Sequence, residues 1–576
     1  MIKQAILILS ILGSSMCFAQ ENTIYFDGKT DDWQQQHTVD YDDPDDDGGQ
    51  IEIESLSITN DETNIYINFT LNKELLLNSN NDLTLYLDTD QNPETGYEEA
   101  NIGAELRWTF GERRGHFSES KEQIYHNDIG FSALPTVTSD TFEVKINLDS
   151  RPDGTHELFK GNGFNLLIKS ESGGDAVPNS GEIFTYVIDE ELYSNYQAVD
   201  LSRAPQTDLR VMSYNVLHDG IVKPERQPYF ERILQSAEPD VIVFNECWDT
   251  RAVQVRNLLN DVMPLDGDKQ WQAVKKDDGN IIASRYFISD SWLIYDDMRL
   301  TAALIDLPDD ETPRDFLVIG AHFRCCDANE ARQREADAFA EFVLDARTGG
   351  GRIDLPEQTP IMLAGDLNLV GYSQQLETLL TGNIVNTDDF GEGGPLDWNG
   401  SELLDIMAYH SDNPYAYTWI DNESSYWPGR LDFNILTNSV SQVLKKFVME
   451  TTAMTDERLE QYGLQREDTH EASDHLPKVV DIKINEDVSV KPVDKSSVTI
   501  SPNPASDKFY IHSADTELDS IRIISAADGK IVYDQLIEKY NETIKINAEK
   551  WERGVYIIEI DTKDTSRSVY RKILIL

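Results

Sequence analysis

The chain has 576 residues, and 104 Asp and Glu against 49 Lys and Arg give it a formal net charge of −55 at pH 7. Its 40% hydrophobic and 9% aromatic residues are enough to fill several cores, which excludes a wholly disordered protein. The acidity argues against a protein that coats duplex DNA or anionic membranes nonspecifically, although a nuclease stays open because its site needs only metal ions or a local positive patch.

Residues 1–19 have the pattern of a secretory signal peptide. A positively charged start precedes a short apolar run over residues 5–12, and Cys17 and Ala19 place small residues before a cleavage site at Gln20. The run is too short to span a membrane and no other stretch reaches about 18 apolar residues, so we expect a secreted protein without a transmembrane segment. A lipoprotein attached through Cys17 is the alternative, and the residues before Cys17 fit it poorly.

Three cysteines remain after such a cleavage: Cys247 and the adjacent Cys325 and Cys326. An odd number of cysteines cannot form a complete disulfide framework. The adjacent pair could bond to each other, Cys247 could pair with one of them, or all three could be small buried residues. Three ligands are also too few for a zinc site on their own.

The first large region, residues 20–200, has an all-β pattern. Its runs alternate in polarity or are rich in β-branched and aromatic residues, and they cover residues 51–58, 64–69, 83–87, 142–146 and 164–168. Clusters of Asn, Asp and Gly separate the runs. An N-terminal β-sandwich is the expected fold for so many short strands.

One turn in this region carries oxygen-bearing side chains at alternate positions. Asp88, Asp90 and Asn92 precede Gly96, and carboxylate and amide oxygens in such a turn suit Ca²⁺. The turn is not an EF-hand, because the spacing and the terminal Glu are absent. We predict a calcium site here, with a solvated acidic loop as the alternative.

Two segments of this region resemble family 9 carbohydrate-binding modules. They are residues 24–33, which contain Asp27, Gly28 and Trp33, and residues 87–97. The resemblance implies an accessory binding domain whose partner is a glycan. It assigns no sugar-contacting residue, because Trp33 suits a core as well as a binding platform.

From residue 208 to residue 485, strands alternate with helices. Short apolar runs predict buried strands over residues 210–214, 241–244, 281–283, 316–320, 361–364 and 433–436. An amphipathic pattern predicts a helix over residues 327–346. The pattern is that of an α/β domain, followed by a linker over residues 486–497 and by short strands over residues 498–576.

Polar side chains stand at the ends of the predicted strands of this α/β domain. They comprise four carboxylates, three Asn and two His: Asn215, Asn245, Glu246, His322, Asp366, Asn368, Asp432, Asp474 and His475. Strand ends are where α/β sheets bind ligands, so we expect these groups to converge. Such a set would bind a hard divalent cation and activate water.

The order and spacing of these segments resemble the endonuclease/exonuclease/phosphatase superfamily, which includes DNase I-like nucleases, neutral sphingomyelinases and inositol phosphatases. The most specific pieces are Gly-Asp-Leu-Asn at residues 365–368 and Ser-Asp-His-Leu-Pro at residues 473–477. The resemblance spans residues 209–484. It implies a four-layer α/β sandwich of the DNase I type, with two sheets packed face to face and helices outside.

The resemblance implies a metal site. Glu246, helped by Asn215 and Asp474, would hold Mg²⁺ or Mn²⁺ through oxygen ligands. The ion would neutralise phosphate charge and stabilise the leaving oxygen.

Five further side chains receive catalytic roles from the same resemblance. Asp366 would orient and deprotonate the attacking water, and Asn368 would hold the phosphate or the nucleophile in line. His475 would donate a hydrogen bond to the phosphoryl oxygen, and Asp432 would pair with His475 and favour its protonated form. His322 resembles a second phosphate-contacting histidine.

Two arginines near these segments, Arg324 and Arg430, are candidates for binding the substrate phosphate. A surface salt bridge is the alternative for each. The adjacent cysteine pair is not part of the common core of the superfamily, so it could shape the substrate loop. We expect Trp248, just after Glu246, to pack against its neighbours rather than line a pocket.

The last region resembles the C-terminal sorting domain of the type IX secretion system of Gram-negative bacteria. The resemblance rests on Pro-Asn-Pro at residues 502–504, Asp-Gly-Lys at residues 528–530 and Gly-Val-Tyr at residues 554–556. It implies a small C-terminal β-sandwich, export across the outer membrane by that machinery, and cleavage of the tail. A small adhesive sandwich is the alternative.

We therefore expect a secreted, metal-dependent phosphoesterase that hydrolyses phosphodiester bonds, with nucleic acid as the first substrate. A DNA-binding channel should carry clustered Lys and Arg, and this domain is not rich in them. A phosphatase or a phospholipase-C-like enzyme acting on inositol phosphates or sphingolipids is the alternative within the class. A glycan-binding surface protein that has lost activity is the alternative of another class, and the complete set of polar residues argues against it.

Overall fold

The computed structural model describes most of the chain between Gln20 and Ile575. The described residues are 20–43, 50–172, 174–308, 312, 314–485, 498–501, 504–513, 518–525, 530–537, 543–551, 553–562 and 568–575. The expected signal peptide, the linker and parts of the tail motifs, residues 502–503 and 528–529, lie outside them. The described residues up to Asn485 form one compact unit, and those of the C-terminal region form a second.

Residues 20–200, which we call the N-terminal module, contain two antiparallel sheets. The first has five strands in the order Ser132–Leu134, Ser139–Asn147, Asn64–Leu75, Ile53–Asn60 and Val39–Asp42. The second has seven strands, of which six follow the order Gln123–Ile124, Arg114–Phe117, Leu106–Thr109, Leu83–Asp88, Gly163–Ser170 and Ala176–Val177, and Phe184–Val187 also pairs with Gly163–Ser170. Each of the five runs read from the sequence overlaps one of these strands.

The two sheets share one apolar core, because alternate side chains of each strand point inward. Phe69 of the first sheet and Leu85 and Trp108 of the second are fully buried in it. The outer face of the strand Asn64–Leu75 is buried as well, since Tyr66 lies in a second apolar cluster with residues of the central region. The first sheet is therefore covered on both faces around this strand.

Short elements complete the N-terminal module. Gln20–Glu21 pairs in parallel with Leu192–Tyr193, and Tyr97–Glu99 forms a hairpin with Ile102–Ala104. Helical turns lie at Trp33–Gln35, Phe110–Glu112 and His126–Ile129. Trp33 is buried, and its indole Nε1 donates a hydrogen bond to Glu143 at 2.6 Å, so it packs in the module instead of offering a platform.

Residues 208–485, which we call the central domain, contain two six-stranded sheets. The first has the order Gln272–Val274, Ile281–Ser284, Val241–Asn245, Leu209–Asn215, Lys478–Ile484 and Ser441–Val448. The second has the order Phe287–Leu293, Leu300–Asp306, Phe316–His322, Ile361–Asp366, Asp432–Leu436 and Leu404–Asp405. All six apolar runs read from the sequence lie within these strands.

The two central sheets pack face to face, and helices cover their outer faces. Val211 of the first sheet and Val318 of the second lie in the core between them. The outer faces carry the helices Gln227–Ala237 and Ala252–Val262 on the first sheet and Asn329–Ala346 and Ser373–Thr381 on the second. Because both faces of each sheet are buried, the strands have continuous apolar runs rather than alternating ones.

The remaining helical segments of the central domain are short. They are Gly220–Val222, Thr387–Phe390, Asp456–Tyr462 and Asp468–Ala472. The predicted helix over residues 327–346 is present and begins at Asn329.

The C-terminal region has two antiparallel sheets of its own. One contains Val498–Ser501, Lys508–Ser513 and Thr543–Asn547, and the other contains Ile531–Leu536, Leu518–Ser525, Gly554–Thr562 and Ser568–Ile575. Phe509, Ile521 and Ile558 lie in a common apolar core.

Candidate active site

Strand register brings three of the predicted site residues side by side in the second central sheet. His322 lies opposite Asp366 in a parallel pair of strands, and Asp366 lies opposite Asp432 in an antiparallel pair. All three side chains are almost fully buried. Asn215 and Asn245 pair in register at the ends of two strands of the first sheet, so both sheets contribute polar groups to one edge.

The Asp366 carboxylate is the centre of this cluster. Its Oδ2 accepts hydrogen bonds from Nδ2 of Asn215 at 3.0 Å and from Nδ2 of Asn368 at 3.1 Å. Nε2 of His322 lies 3.5 Å and Nε2 of His475 lies 3.7 Å from the same oxygen. Burial raises the pKa of Asp366, although the nearby His475 acts in the opposite direction. A carboxylate with a raised pKa is a stronger general base.

His475 is held by a second buried carboxylate. Its Nδ1 lies 2.8 Å from Oδ2 of Asp432. Burial alone would lower the pKa of His475, but the carboxylates of Asp432 and Asp366 outweigh burial and raise the pKa above its ordinary value. The imidazole is therefore held in its protonated form, with Nε2 able to donate a hydrogen bond. Oδ1 of Asp432 has no hydrogen-bond partner among the described residues.

His322 differs from His475 in its charge state. Burial, and after it the positive charge of Arg299, lowers the pKa of His322 well below its ordinary value, so the ring is neutral. Its Nδ1 is buried and has no hydrogen-bond partner within the described part of the chain. A neutral ring offers a lone pair that can bind a metal ion or accept a hydrogen bond.

Three side chains of the cluster have the composition of a metal site. Ligand atoms of Glu246, His322 and Asp366 lie within 4.8 Å of one another. Asn215 bridges two of these residues, since its Nδ2 lies 3.2 Å from Oε1 of Glu246 and 3.0 Å from Oδ2 of Asp366. Carboxylate oxygens with one imidazole nitrogen suit a divalent cation, so the donor set fits the ion expected from the sequence.

Asp474, the third ligand expected from the sequence, has different neighbours. Its Oδ2 accepts a hydrogen bond from Nε1 of Trp419 at 2.9 Å, and its Oδ1 lies 3.4 Å from Oγ of Ser473. No hydrogen bond joins Asp474 to Glu246 in the described residues. Asp474 thus lies next to His475 in the chain and is not one of the three residues whose ligand atoms lie within 4.8 Å of one another.

Two residues of the site have a left-handed backbone conformation. The φ angles are +58° at Glu246 and +45° at Asn368. Residues with a Cβ rarely adopt this region, and such conformations concentrate at functional sites. Both residues follow the end of a strand, where the turn brings their side chains to the cluster.

The two candidate phosphate-binding arginines lie in different surroundings. The Arg324 side chain is 55% exposed, and its Nη2 donates to the carbonyl oxygen of Asp297 at 3.2 Å. Arg430 is buried, forms an ion pair with both oxygens of Asp405, and has its Cζ 4.1 Å from the ring centroid of Phe433. Arg324 can reach a ligand in its present position, whereas Arg430 is engaged by Asp405.

A cavity of about 490 Å³ opens beside His322. The lining side chains are Trp248, Lys276, Asp277, Asp278, Leu293, Asp297, Met298, Arg299 and Arg324. The Trp248 ring both lines this cavity and packs, since Cζ of Arg299 lies 5.2 Å from its centroid and the His322 ring lies 5.4 Å away. The cavity thus offers one aromatic face together with the exposed cations Lys276 and Arg324, and three aspartates also line it.

Two contributors to the site received no role from the sequence. Oδ1 of Asn245 accepts a hydrogen bond from the backbone N–H of Asp366 at 3.0 Å, while its Nδ2 donates to the carbonyl oxygen of Ala321 at 2.9 Å. The sequence places Asn245 at the end of a predicted strand. This position alone does not show whether the side chain joins neighbouring strands or binds a ligand. The indole of Trp419, which holds Asp474, belongs to no motif.

The residues of the predicted calcium turn lie close together in the N-terminal module. Carboxylate oxygens of Asp88, Asp90 and Glu105 lie within 4.8 Å of one another, and the Asn92 backbone N–H donates to Asp88 at 3.1 Å and to Asp90 at 3.0 Å. Glu105 was not predicted, because it lies 13 residues or more along the chain from the turn, between the strands Ile102–Ala104 and Leu106–Thr109. Calcium binding stays a prediction.

Cys325 and Cys326 form a disulfide bond with each other, and Cys247 is a buried free thiol. This pairing is one of the alternatives that the sequence left open. Burial raises the pKa of Cys247 far above its ordinary value, so it is not a reactive thiol.

Residues 212–475 match the model of the endonuclease/exonuclease/phosphatase family. The central domain belongs to that family, as the sequence motifs predicted. Residues 499–576 match the model of the secretion system C-terminal sorting domain. This tail marks the protein for type IX secretion to the cell surface or the extracellular space. Among the described residues, no helix combines the length and the apolar character that crossing a bilayer requires.

Several solved structures resemble the chain over about half its length. The human nocturnin catalytic domain with bound sulfate is 16% identical with a TM-score of 0.31, covering 49% of this chain and 97% of that one. A mutant beta toxin from Staphylococcus aureus with bound magnesium ions is 16% identical with a TM-score of 0.30, covering 48% and 99%. The mannosyl-6-phosphatase of Bacteroides thetaiotaomicron is 16% identical with a TM-score of 0.30, also covering 48% and 99%. No curated protein matches the chain in sequence.

Proposed function

We propose that the central domain hydrolyses phosphoesters with a divalent metal ion, Mg²⁺ or Mn²⁺, as its cofactor. One observation carries the proposal: the buried carboxylate of Asp366, whose pKa is raised, lies 3.7 Å from the protonated ring of His475 and within 4.8 Å of a ligand atom of Glu246. A base, a hydrogen-bond donor and a metal-binding carboxylate are the groups that phosphoester hydrolysis needs. The family match of residues 212–475 supports the same class.

Glu246 is the principal metal ligand in this proposal. Asp366 and His322 would offer the same ion further ligand atoms, Asn215 would orient the Glu246 and Asp366 carboxylates through its Nδ2, and Asp474 would contribute from beside His475. A bound divalent ion neutralises phosphate charge and stabilises charge that develops on the reacting oxygens.

The other side chains of the cluster bind and orient the reactants. Asp366 accepts the proton of the attacking water, and Asn368 holds the Asp366 carboxylate through its Nδ2 at 3.1 Å. His475 donates from Nε2 to a phosphoryl oxygen, because Asp432 occupies its Nδ1 and keeps the ring protonated. His322, which is neutral, contacts either the ion or the phosphate.

We propose a phosphodiester in nucleic acid as the first substrate. The cavity beside His322 has room for about one nucleotide, Trp248 offers a face on which a base can stack, and Lys276 and Arg324 can pair with a neighbouring phosphate. A single strand or a free end fits this space better than a duplex. The net charge of −55 also disfavours wide duplex contact.

The same cavity favours a second candidate, a small phosphoester. A volume of about 490 Å³ suits a single sugar, inositol or head-group moiety as well as a nucleotide. A phosphatase or phospholipase-C-like activity on inositol phosphates or sphingolipids would use the same cluster.

Hydrolysis by the mature protein tests the proposal. The panel contains single-stranded and plasmid DNA, RNA, a bis-aryl phosphate diester, an aryl monoester, inositol phosphates and sphingomyelin, each with Mg²⁺, Mn²⁺ or chelator. Chelator-sensitive cutting of nucleic acid that Asp366→Asn abolishes, and that the control Asp261→Asn at an exposed position outside the cavity retains, supports a nuclease. Activity confined to monoesters or lipid head groups supports the second candidate, and a folded protein that is inactive in every arm overturns the proposal.

For the N-terminal module we keep the proposal of a glycan partner. Because Trp33 is buried against Glu143, the binding surface must use other side chains. Calorimetric titration of the mature protein with a set of polysaccharides tests this proposal, and no heat in any titration would contradict it.

A further inference from the structure

A central-domain tryptophan is buried inside the N-terminal module. Trp427 is 5% exposed and lies in the core that the two sheets of the module share. Its ring packs edge-on against Phe131 at 5.2 Å, and its Nε1 donates to the carbonyl oxygen of Ala133 at 2.9 Å. This anchor fixes the chain only five residues before Asp432, a member of the catalytic cluster.

A threonine of the N-terminal module touches two catalytic loops at once. Oγ1 of Thr136 lies 2.7 Å from the carbonyl oxygen of Leu369 and 3.4 Å from the carbonyl oxygen of Arg430. Leu369 directly follows Asn368, and Arg430 comes two residues before Asp432. Thr136 therefore lies at the point where the loops from two neighbouring strands meet.

Further hydrogen bonds secure the first of these loops. The backbone N–H of Thr138 donates to the carbonyl oxygen of Gly371 at 2.7 Å, and the backbone N–H of Ser373 donates to Oγ1 of Thr138 at 3.1 Å. The two loops also bond to each other, since the N–H of Leu367 donates to the carbonyl oxygen of Leu431 at 2.9 Å. A displacement of either loop would be passed to the other.

The start of the module holds a third segment of the site. Phe26 exchanges backbone hydrogen bonds with Pro414 at 2.8 Å and with Ala416 at 3.0 Å. Two residues further on, Oγ1 of Thr418 accepts from the N–H of Asp432 at 2.9 Å. Three segments around the catalytic cluster thus depend on the module for their position.

We infer that the N-terminal module is a structural part of the active site, and that Thr136 is a positioning residue that holds the Asp366 and Asp432 strand ends at their working separation. The inference rests on the proposed function for its catalytic meaning. It accounts for the burial of both faces of the module's five-stranded sheet around Asn64–Leu75, and for the single compact unit that the described residues up to Asn485 form. The module is thereby distinguished from a detachable binding accessory.

The test uses the full mature chain and two substitutions at one position. Thr136→Val removes the hydroxyl and keeps the methyl group. This methyl group packs closely on Gly429, since a Cβ added to Gly429 would lie only 2.7 Å from it. Thr136→Ser keeps the hydroxyl. Thr84→Val is the matched control. Thr84 is a buried threonine of the same module, and its Oγ1 donates to the carbonyl oxygen of Asp82 at 3.2 Å. Its strand, Leu83–Asp88, belongs to the seven-stranded sheet, whereas Thr136 lies between two strands of the five-stranded sheet.

We expect Thr136→Val to lower kcat about tenfold or more with little change in KM, because small displacements of catalytic groups cost rate rather than binding. Thr136→Ser should restore kcat, and Thr84→Val should leave it unchanged. A melting temperature within a few degrees of wild type for all three variants would exclude global unfolding as the cause.

Amide hydrogen exchange separates this inference from the proposed function. Thr136→Val should speed exchange at the N–H groups of Leu367, Leu431 and Asp432, whether or not a substrate is known, and Thr84→Val should not. Active protein with unchanged kcat and unchanged exchange in Thr136→Val overturns the inference and leaves the function intact. If the wild type is inactive but Thr136→Val exchanges faster, the proposed function is overturned and the positioning role of Thr136 is kept. Unchanged exchange in Thr136→Val overturns the positioning role, whether or not the wild type is active.

Discussion

Nδ1 of His475 lies 2.8 Å from Oδ2 of Asp432, and both side chains are buried. This pair keeps His475 protonated beside Asp366. Asp432→Asn removes the negative charge while keeping nearly the same shape. We expect kcat to fall by about 10²–10⁴-fold, as for other His–Asp pairs, with the fold retained by circular dichroism and thermal melting.

A double-mutant cycle distinguishes pairing from an independent role of Asp432. If Asp432 acts through His475, then adding Asp432→Asn to His475→Ala should cost little further rate. Fully multiplicative losses would contradict the pairing.

Glu246 is the second site residue whose removal has a direct readout. We expect Mn²⁺ or Mg²⁺ to raise the melting temperature of the wild-type protein, since an ion that binds only the folded state stabilises it. Glu246→Gln should weaken the metal affinity measured by calorimetry by tenfold or more. The exposed Glu225→Gln is the matched control, and equal affinity in both variants would remove Glu246 from the metal site.

The sequence was informative about the site where a functional side chain lies within two residues of an apolar run, before it or after it. His322, Asp366 and Asp432 could be found this way, because buried strands have a clear pattern and adjacent strands place their ends together. Glu246 and Asn215 were found by the same reasoning. The structure brings all five to one edge of the two sheets.

The sequence was uninformative where a role depends on contacts distant along the chain. Trp419 holds Asp474, and Trp427 enters the core of the N-terminal module, yet neither residue stands in a periodic pattern. Glu105 joins Asp88 and Asp90 only through strand pairing. The close packing of the module on the central domain was missed for the same reason, since each region alone has the pattern of a separate domain.

Trp248 provides a test of where the leaving group lies. Its ring lines the cavity beside His322 and is supported by Arg299. Trp248→Ala should raise KM about tenfold or more for substrates with an aromatic leaving group, because a stacked ring is worth about 1–3 kcal/mol. Trp248→Phe should recover most of the affinity. Equal KM values for wild type and Trp248→Ala with an aryl diester would place the leaving group elsewhere.

The calcium prediction has a readout in stability. Asp88, Asp90 and Glu105 bring three carboxylates together in the N-terminal module. If they bind Ca²⁺, adding the ion should raise the melting temperature of the mature protein, and Asp88→Asn should abolish that rise while leaving the Mn²⁺ response intact. A Ca²⁺ response that survives in Asp88→Asn would contradict the assignment.

Lys478 gives a prediction about the dependence of stability on pH. It is buried beside Arg430 and near Asp405 and Asp432, and its Nζ has no hydrogen-bond partner within the described residues. Burial, and after it the charge of Arg430, lowers the pKa of Lys478 to about 7. An unfolded lysine has a pKa of about 10.4, so between these two values the unfolded chain binds more protons than the folded chain.

The free energy of unfolding of the wild type should therefore gain from this group as pH rises from 7 toward 10, by at most about 1.4 kcal/mol per pH unit. Lys478→Met lacks the titrating group and keeps the apolar stem. We expect Lys478→Met to be more stable than wild type at pH 7 and the difference to shrink steadily toward pH 10. Urea unfolding of both proteins at each pH measures this difference in the free energy of unfolding. A difference that is constant or grows with pH would show that the pKa of Lys478 is not lowered in the folded protein.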